Sequence, residues 1–288
     1  MAEQPLSVDL EGAGRTGGPR RDEQADGHLR SGQRLGQPAD GHPGGGQRFG
    51  EQADGHVRSG QRLGQPAHVG RPEGQLRIAI FASGQGSNFQ ALADAAADGK
   101  LGGSIELLVC DRAEAPVVER ARRSGIDTWV FDSSAYASRE AYEGEILAEL
   151  ERRGVGLVVL AGYMRILTPV LVDAFAGRMI NIHPSLLPAF PGMHAIRQAL
   201  NYGVKVTGVT IHFVDGGLDS GPIIAQRALE IDEGESEASL AERIHAAENV
   251  LYPWAVRGFA EGRISLDGRR VLVSSGAGAG PDDDPADK

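Results

Sequence analysis

"LRIAIFASGQGSNFQALADAAADG" (residues 76–99) opens with a short apolar run, crosses a turn punctuated by Gly84 and Gly86, and continues with apolar residues at helical spacing until Gly99. A strand that feeds a helix through a glycine-rich turn is the first half of a βαβ unit. The same alternation recurs downstream. "IELLVC" (105–110) reads as a strand, followed by a helix through "PVVERARRSG" that stops at Gly125. "DTWVF" (127–131) precedes a long helix in "SREAYEGEILAELERRG" (138–154), with Ser138 as its N-cap. "VGLVVLAG" (155–162) and "GRMINI" (177–182) are two more strands. Strands this uniformly apolar, separated by helices, predict an α/β fold with a doubly wound, mostly parallel sheet covered on both faces. After His183 the pattern changes. "VKVTGVTIHFV" (204–214) and "GPIIAQRALEI" (221–231) alternate like an antiparallel pair, "SEASLAERIHAAENVLYPWAVRGFAEG" (236–262) reads as an amphipathic helix interrupted near Pro253, and "RISLDGRRVLV" (263–273) as a hairpin turning at Asp267-Gly268. The C-terminal portion is thus expected to be antiparallel.

The 75 residues before Leu76 are chemically different. They hold 17 of the chain's 41 glycines, no Lys, Trp or Tyr, and almost no neighbouring apolar residues, so little burial is available to offset the entropy of ordering. A 14-residue unit repeats there, as "GQRLGQPADGHPGG" (32–45) and "GQRFGEQADGHVRS" (46–59), and a third copy begins at Gly60. One Leu or Phe per unit is too little for the apolar face of a solenoid. Residues 1–75 are expected to be a disordered extension carrying His28, His42, His56 and His68 on a solvated coil, or else to precede a true translation start near Leu76. Residues 275–288, ending in "PDDDPADK", are expected to be a disordered acidic tail. That leaves 76–274 as one domain.

The formal charge is −10, of which −9 lies outside the first 75 residues, an acidic balance that argues against a nucleic-acid partner but allows small anionic substrates. Cys110 is the single cysteine, so no internal disulfide forms, as suits a reducing cytoplasm. No run approaches the ~18 apolar residues of a membrane span. A cytoplasmic protein without a membrane partner is expected.

Three places could carry chemistry. In "SGQGSN" (83–88), backbone N–H groups at a helix start favour an anion, with Ser87 or Asn88 free to cap the helix and donate to a phosphate. Asp111 suggests a competing dinucleotide fingerprint, but its third glycine would fall at Phe89; a plain tight turn is the other alternative. In "NIHPSLLP" (181–188), Asn181 and His183 leave a central strand at its C-terminal end on the same side, where open α/β sheets place their sites. "GGLDSGP" (216–222) offers Asp219 as a partner acid. A packed core histidine and an ordinary turn aspartate are the competing readings. A zinc site on His183, His194 and His212 lacks close ligand spacing, and Ser185 lacks a nucleophile elbow. Tyr163, Ile166, Leu167 and Val172 could wall a flat ligand or simply pack.

Five segments in this order, "GQGSN" (84–88), "LAGYMRIL" (160–167), "NIHPSLLPAFPG" (181–192), "GVTIHFVDGGLDSGPII" (208–224) and "AAENVLYP" (246–253), resemble the glycinamide ribonucleotide formyltransferase family, folate-dependent transformylases of purine synthesis. The resemblance runs from Leu76 to about Val273. It implies a Rossmann-like formyltransferase fold, 10-formyltetrahydrofolate as co-substrate, no metal, small-molecule partners only, and a monomer or homodimer. It implies that Asn181, His183 and Asp219 are catalytic. Gly86, Ser87 and Asn88 would hold the substrate phosphate, with Glu248 on the same nucleotide and Gly162 and Met164 at its glycinamide end. Arg139, Met164, Arg165, Ile166, Leu167, Asn181, Asp215, Gly216, Gly217 and Leu218 would border the folate. His245 stands where relatives carry a basic or amide residue.

Three other functions compete. A formyltetrahydrofolate deformylase would share the trio, but commonly reads NIHHS where this chain has NIHPS, and usually carries a regulatory domain in front. A methionyl-tRNA formyltransferase would append a basic domain, and too few residues follow Asp219 for one. A non-enzymatic dinucleotide-binding module would rest on Asp111 and the first loop.

Overall fold

The computed structural model describes residues 74–274. The repeats and the acidic tail lie outside the described residues. Strand β1 (Leu76–Phe81) leads through the glycine turn into α1 (Ser87–Ala97). Then come β2 (Gly103–Cys110), α2 (Pro116–Arg123), β3 (Thr128–Val130), α3 (Arg139–Arg152) and β4 (Leu157–Leu160). Next are α4 (Pro169–Ala174), β5 (Met179–His183), α5 (Ala195–Tyr202), β6 (Val206–Phe213) and β7 (Ile223–Glu230). The chain closes with α6 (Glu237–Ala260) and a hairpin of β8 (Ile264–Asp267) and β9 (Arg270–Val273).

The main sheet has seven strands in the order β3-β2-β1-β4-β5-β6-β7. From β3 to β5 every pairing is parallel; β5–β6 and β6–β7 are antiparallel. The order runs outward from β1 to β3, then resumes at β4 on the other side of β1. That reversal is the topological switch point, and the crevice beyond the strand ends there is where such sheets bind ligands. The loops after β1 and β4 are stitched together across it, the Ser83 amide donating to the Gly162 carbonyl at 3.1 Å and the Met164 amide to Ser83 Oγ at 3.0 Å.

Alternate residues of each central strand enter separate cores. Ile78, Ile80, Leu157 and Val159 pack with Phe89 and Leu92 of α1, Val117 of α2, and Ile244, Leu251 and Val256 of α6. Ala79, Phe81, Val158 and Leu160 pack on the opposite face with Tyr142 and Ile146 of α3 and Leu171 of α4. Such two-sided burial is why these strands carry no polar alternation.

The structure departs from the sequence reading in four places. Helix α6 runs unbroken through Pro253. Leu251, Tyr252, Ala255 and Val256 around the proline are all buried, and that packing outweighs the one backbone bond the proline removes. Helices α4 and α5, of six and eight residues, were not anticipated; they are too short for a periodic signal. The hairpin turns one residue later than expected, with Gly268 at φ 59° between Asp267 and Arg270. Neither Ser87 nor Asn88 caps α1, because the cap position is Gly86.

A buried carboxylate joins α3 to the loop after β4. Glu143 is fully buried and accepts both the Thr168 amide at 3.0 Å and the Thr168 hydroxyl at 2.6 Å, while Thr168 Oγ1 caps α4. In Glu143→Ala the two Thr168 donors lose their acceptor, at a cost of about 3 kcal/mol. For a domain of this size that lowers Tm by roughly 6–12 °C. Thermal denaturation of the variant checks this; an unchanged Tm contradicts it.

Candidate active site

Gly86 sits at φ 76°, and a Cβ there would lie 2.6 Å from Val117 Cγ2, so both conformation and the close approach of α2 demand glycine. The first amides of α1 have no carbonyl behind them in the helix, and no side chain caps them, so the positive end of the helix dipole is left at this turn. Asn88 turns inward, its Nδ2 donating to the Glu248 carboxylate at 2.8 Å, while its Oδ1 is buried without a partner. One turn after Glu248 on α6, the Tyr252 hydroxyl ties the helix to the sheet, its one proton shared between the carbonyls of Leu160 at 2.8 Å and Ile180 at 3.2 Å. Thus Gly86, Ser87, Asn88, Gly162 and Glu248 belong to one corner of the crevice. Burial pushes the Glu248 carboxyl above its ordinary range, against the opposing hydrogen bond from Asn88. Ser87 also lines a cavity of about 400 Å³ with Gln90, Ala91, Asp94, Arg120 and Asn249. His245 is exposed on α6.

The side chain of Asp111 is almost wholly buried and taken by Arg165 Nε at 2.7 Å. It is not free to bind a ribose, and the buried Phe89 fills the place of the missing glycine, so the dinucleotide reading fails. The same ion pair commits the Arg165 guanidinium. Arg139 Nη1 donates to the Ile166 carbonyl at 3.4 Å, which brings Arg139 to the 164–167 loop, where Met164 and Ile166 are exposed. The expected apolar wall does not form as one surface. Val172 is buried in α4, Tyr163 meets Phe81 edge-on at 5.3 Å, and Leu167 packs into the core, leaving Ile166 outward. On the loop after β6, Asp215 Oδ1 accepts the Gly217 amide at 3.0 Å and Ser220 Oγ at 2.7 Å, a self-contained turn that leaves Leu218 exposed.

At the end of β5 the three expected catalytic residues gather with a fourth. Antiparallel pairing of β5 with β6 sets Asn181 opposite His212 and His183 opposite Thr210. Asn181 Nδ2 lies 3.1 Å from His212 Nε2. His183 Nδ1 lies 3.5 Å from Asp219 Oδ2, and Asp219 Oδ1 lies 3.7 Å from His212 Nε2. His183 Nε2 is 2.9 Å from the Phe190 carbonyl, and Asp219 Oδ2 accepts the Gly192 amide at 2.7 Å. Both nitrogens of His183 thus face oxygen acceptors, the Phe190 carbonyl at hydrogen-bonding distance and the Asp219 carboxylate slightly farther off. Thr210 fixes the chain beyond His183, donating to the Ser185 carbonyl at 2.6 Å and accepting the Leu187 amide at 3.0 Å.

His212 was weighed from sequence only as a zinc ligand. Its real signal is a cross-strand position, visible only once the β5–β6 register is known. Of the other zinc candidates His194 is exposed at the start of α5, and no group of three metal-binding side chains occurs among the described residues. Ser185 is buried with its hydroxyl donated to the Ala189 carbonyl at 2.6 Å, so it is a structural residue and not a nucleophile.

A doubly wound sheet with an amide, an imidazole and a carboxylate gathered at the end of a central strand, beside a glycine loop, is the architecture of an α/β protein that binds ligands beyond its strand ends. The chain belongs to the formyl transferase family, whose model matches residues 76–256. It is 46% identical over 181 residues to the phosphoribosylglycinamide formyltransferase of Bacillus subtilis (strain 168), covering 63% of this chain and 93% of that protein. It is 42% identical over 203 residues to the enzyme of the same name from Escherichia coli (strain K12), covering 68% and 96%. Among solved structures, glycinamide ribonucleotide transformylase 1 from Symbiobacterium toebii superposes with a TM-score of 0.68 at 48% identity, covering 70% of this chain and 95% of that one.

The burial of Glu248 has a measurable consequence. A carboxyl raised above its ordinary value near 4.5 holds its proton more tightly in the folded than in the unfolded chain, so the stability it contributes is full below that pH and is lost as pH rises. Glu248→Gln is therefore expected to gain Tm relative to the unsubstituted protein as pH climbs from about 4.5 to 7.5. Paired melts across that range check the sign; a pH-independent difference contradicts it.

Proposed function

We propose that residues 76–274 transfer the formyl group of 10-formyltetrahydrofolate to the amine of glycinamide ribonucleotide, a step of purine biosynthesis, in the cytoplasm. The observation that carries this reading is the union of Asn181, His183, His212 and Asp219 at the end of β5, in a chain whose relatives are named phosphoribosylglycinamide formyltransferase. The helix start at Gly86–Asn88 takes the phosphate, Glu248 the nucleotide, and Gly162 and Met164 the glycinamide end. The folate lies along Arg139 and 164–167 on one side and 215–218 on the other. Among the described residues no helix is long and apolar enough to cross a membrane.

The amine nitrogen attacks the formyl carbon and negative charge grows on the formyl oxygen. Asn181 keeps one N–H beyond the one pointed at His212 for that oxygen, and the positive charge of the His183 ring, whose two nitrogens are turned to Phe190 and Asp219, favours the developing anion through its field rather than by a direct bond. Asp219 pairs with the imidazolium and accepts the amine proton, directly or through a water. The carbon–nitrogen bond to the folate then breaks, the folate nitrogen takes a proton, and the formamide is left on the nucleotide. Holding two substrates in one crevice supplies much of the rate by proximity.

Release of tetrahydrofolate from formyltetrahydrofolate, followed with and without glycinamide ribonucleotide, tests the reading. Release is expected to depend on the nucleotide and to match formamide formed. Nucleotide-independent release would identify a deformylase instead. Asn181→Ala and His183→Ala are each expected to lower kcat by about 10²–10³-fold. Asp219→Asn should act the same way; loss of Tm without loss of specific activity would mark a residue as structural.

A further inference from the structure

We propose that His212 is a positioning residue for the catalytic amide: one fixed tautomer of its ring presents Nε2 as an acceptor, which holds the Asn181 side chain with its N–H groups toward the reacting carbonyl. This inference rests on the formyl-transfer reading and adds to it a residue that the reading does not require.

An asparagine side chain is nearly symmetric in shape, and its two ends have opposite chemistry. With Nδ2 toward the formyl oxygen, Asn181 stabilises the developing charge. With Oδ1 there, it repels that charge. Something must choose, and Asn181, the third residue of β5, is half-buried with its side chain outside the backbone ladder of the sheet.

The choice is made by backbone geometry one residue away. His212 Nδ1 lies 2.8 Å from the carbonyl of Phe213. A carbonyl can only accept, so Nδ1 carries the proton, and in the neutral ring the lone pair falls on Nε2. That lone pair is 3.1 Å from Asn181 Nδ2, so the amide must present its donor end. Turning the amide over would set Oδ1 against the Nε2 lone pair and leave two acceptors facing each other.

Burial holds the ring neutral, pulling the His212 pKa down; the Phe213 carbonyl, Asp219 and Asp215 pull it up and His183 pulls it down further. Asp219 Oδ1, at 3.7 Å, stands too far off to replace Asn181 as the partner of Nε2. The backbone is also shaped for the purpose. The β6–β7 register shifts between Ile211 and His212, the kind of irregularity that re-aims a side chain, while β5–β6 keeps His212 opposite Asn181.

Two variants and one spectrum test this. His212→Phe fills the space without an acceptor, whereas His212→Gln can place its amide oxygen near the Nε2 position. The Phe variant is expected to lose roughly 100-fold in kcat, as if a donor to the oxyanion had been removed, with KM for both substrates little changed. The Gln variant is expected to regain about tenfold of that loss. Nitrogen-15 NMR of the unsubstituted protein should show a protonated, pyrrole-type Nδ1 and an unprotonated, pyridine-type Nε2 for His212 at neutral pH. Full kcat in the Phe variant, equal loss in both variants, or a proton on Nε2 overturns the proposal. If neither variant folds, the nitrogen spectrum still decides it. An unsubstituted protein that fails to formylate the nucleotide would overturn the functional reading instead, and the spectrum would still report the tautomer.

Discussion

The carboxylate of Asp219 is the constraint on which the rest of the site depends. It sits at φ 48°, in the left-handed region that aspartate tolerates better than most residues with a Cβ. From there one oxygen receives the Gly192 amide and faces His183, and the other faces His212. The loop after β5 and the loop after β6 are therefore pinned to each other through a single side chain. Two of the other residues on the first of these loops, Phe190 at φ 53° and His194 at φ 60°, are also left-handed. Unfavourable backbone of this kind costs of order 1–3 kcal/mol per residue and persists where surrounding contacts enforce it. Here the enforcement is visible: the Phe190 carbonyl faces His183 Nε2, and the Gly192 amide is bonded to Asp219. Close pairing at the base of the second loop adds to it, since a Cβ on Gly221 would run into the Phe213 carbonyl oxygen.

The sheet explains why these loops meet where they do. Parallel strands β1, β4 and β5 deliver three loops to one rim, and the reversal of strand order beside β1 opens the crevice between them. One side of it is formed by the start of α1, with Asn88 bonded to Glu248 across the sequence. The other side is bordered by the 164–167 loop, kept in place by Arg165–Asp111 and by Thr168–Glu143. Antiparallel addition of β6 sets His212 directly across from Asn181, and the loop that follows β6 returns to place Asp219 against His183.

Much of this was legible in the sequence. The alternation of apolar runs and helical spacing from Leu76 to Met179 reports burial on both faces of a sheet, which is a local property, and so the parallel half could be read directly. The glycine turn at Gly84–Gly86, and Asn181 and His183 at a strand end, could be read for the same reason. His212 could not, since its role comes from register between strands and from the carbonyl of its neighbour, neither of which composition encodes. The fate of Asp111 was hidden for a similar reason: its partner Arg165 lies 54 positions away and meets it only through the β1–β2 and β1–β4 pairings. The helix through Pro253 was misread because a local penalty was weighed without the tertiary packing that overrides it.

A double-mutant cycle on kcat/KM for formyl transfer, built from His183→Ala, Asp219→Asn and the pair together, tests most directly whether these side chains act as one unit. Side chains coupled through one carboxylate should be strongly non-additive, the pair falling little below the slower single variant. Losses that simply multiply would show that His183 and Asp219 work independently and would contradict the account.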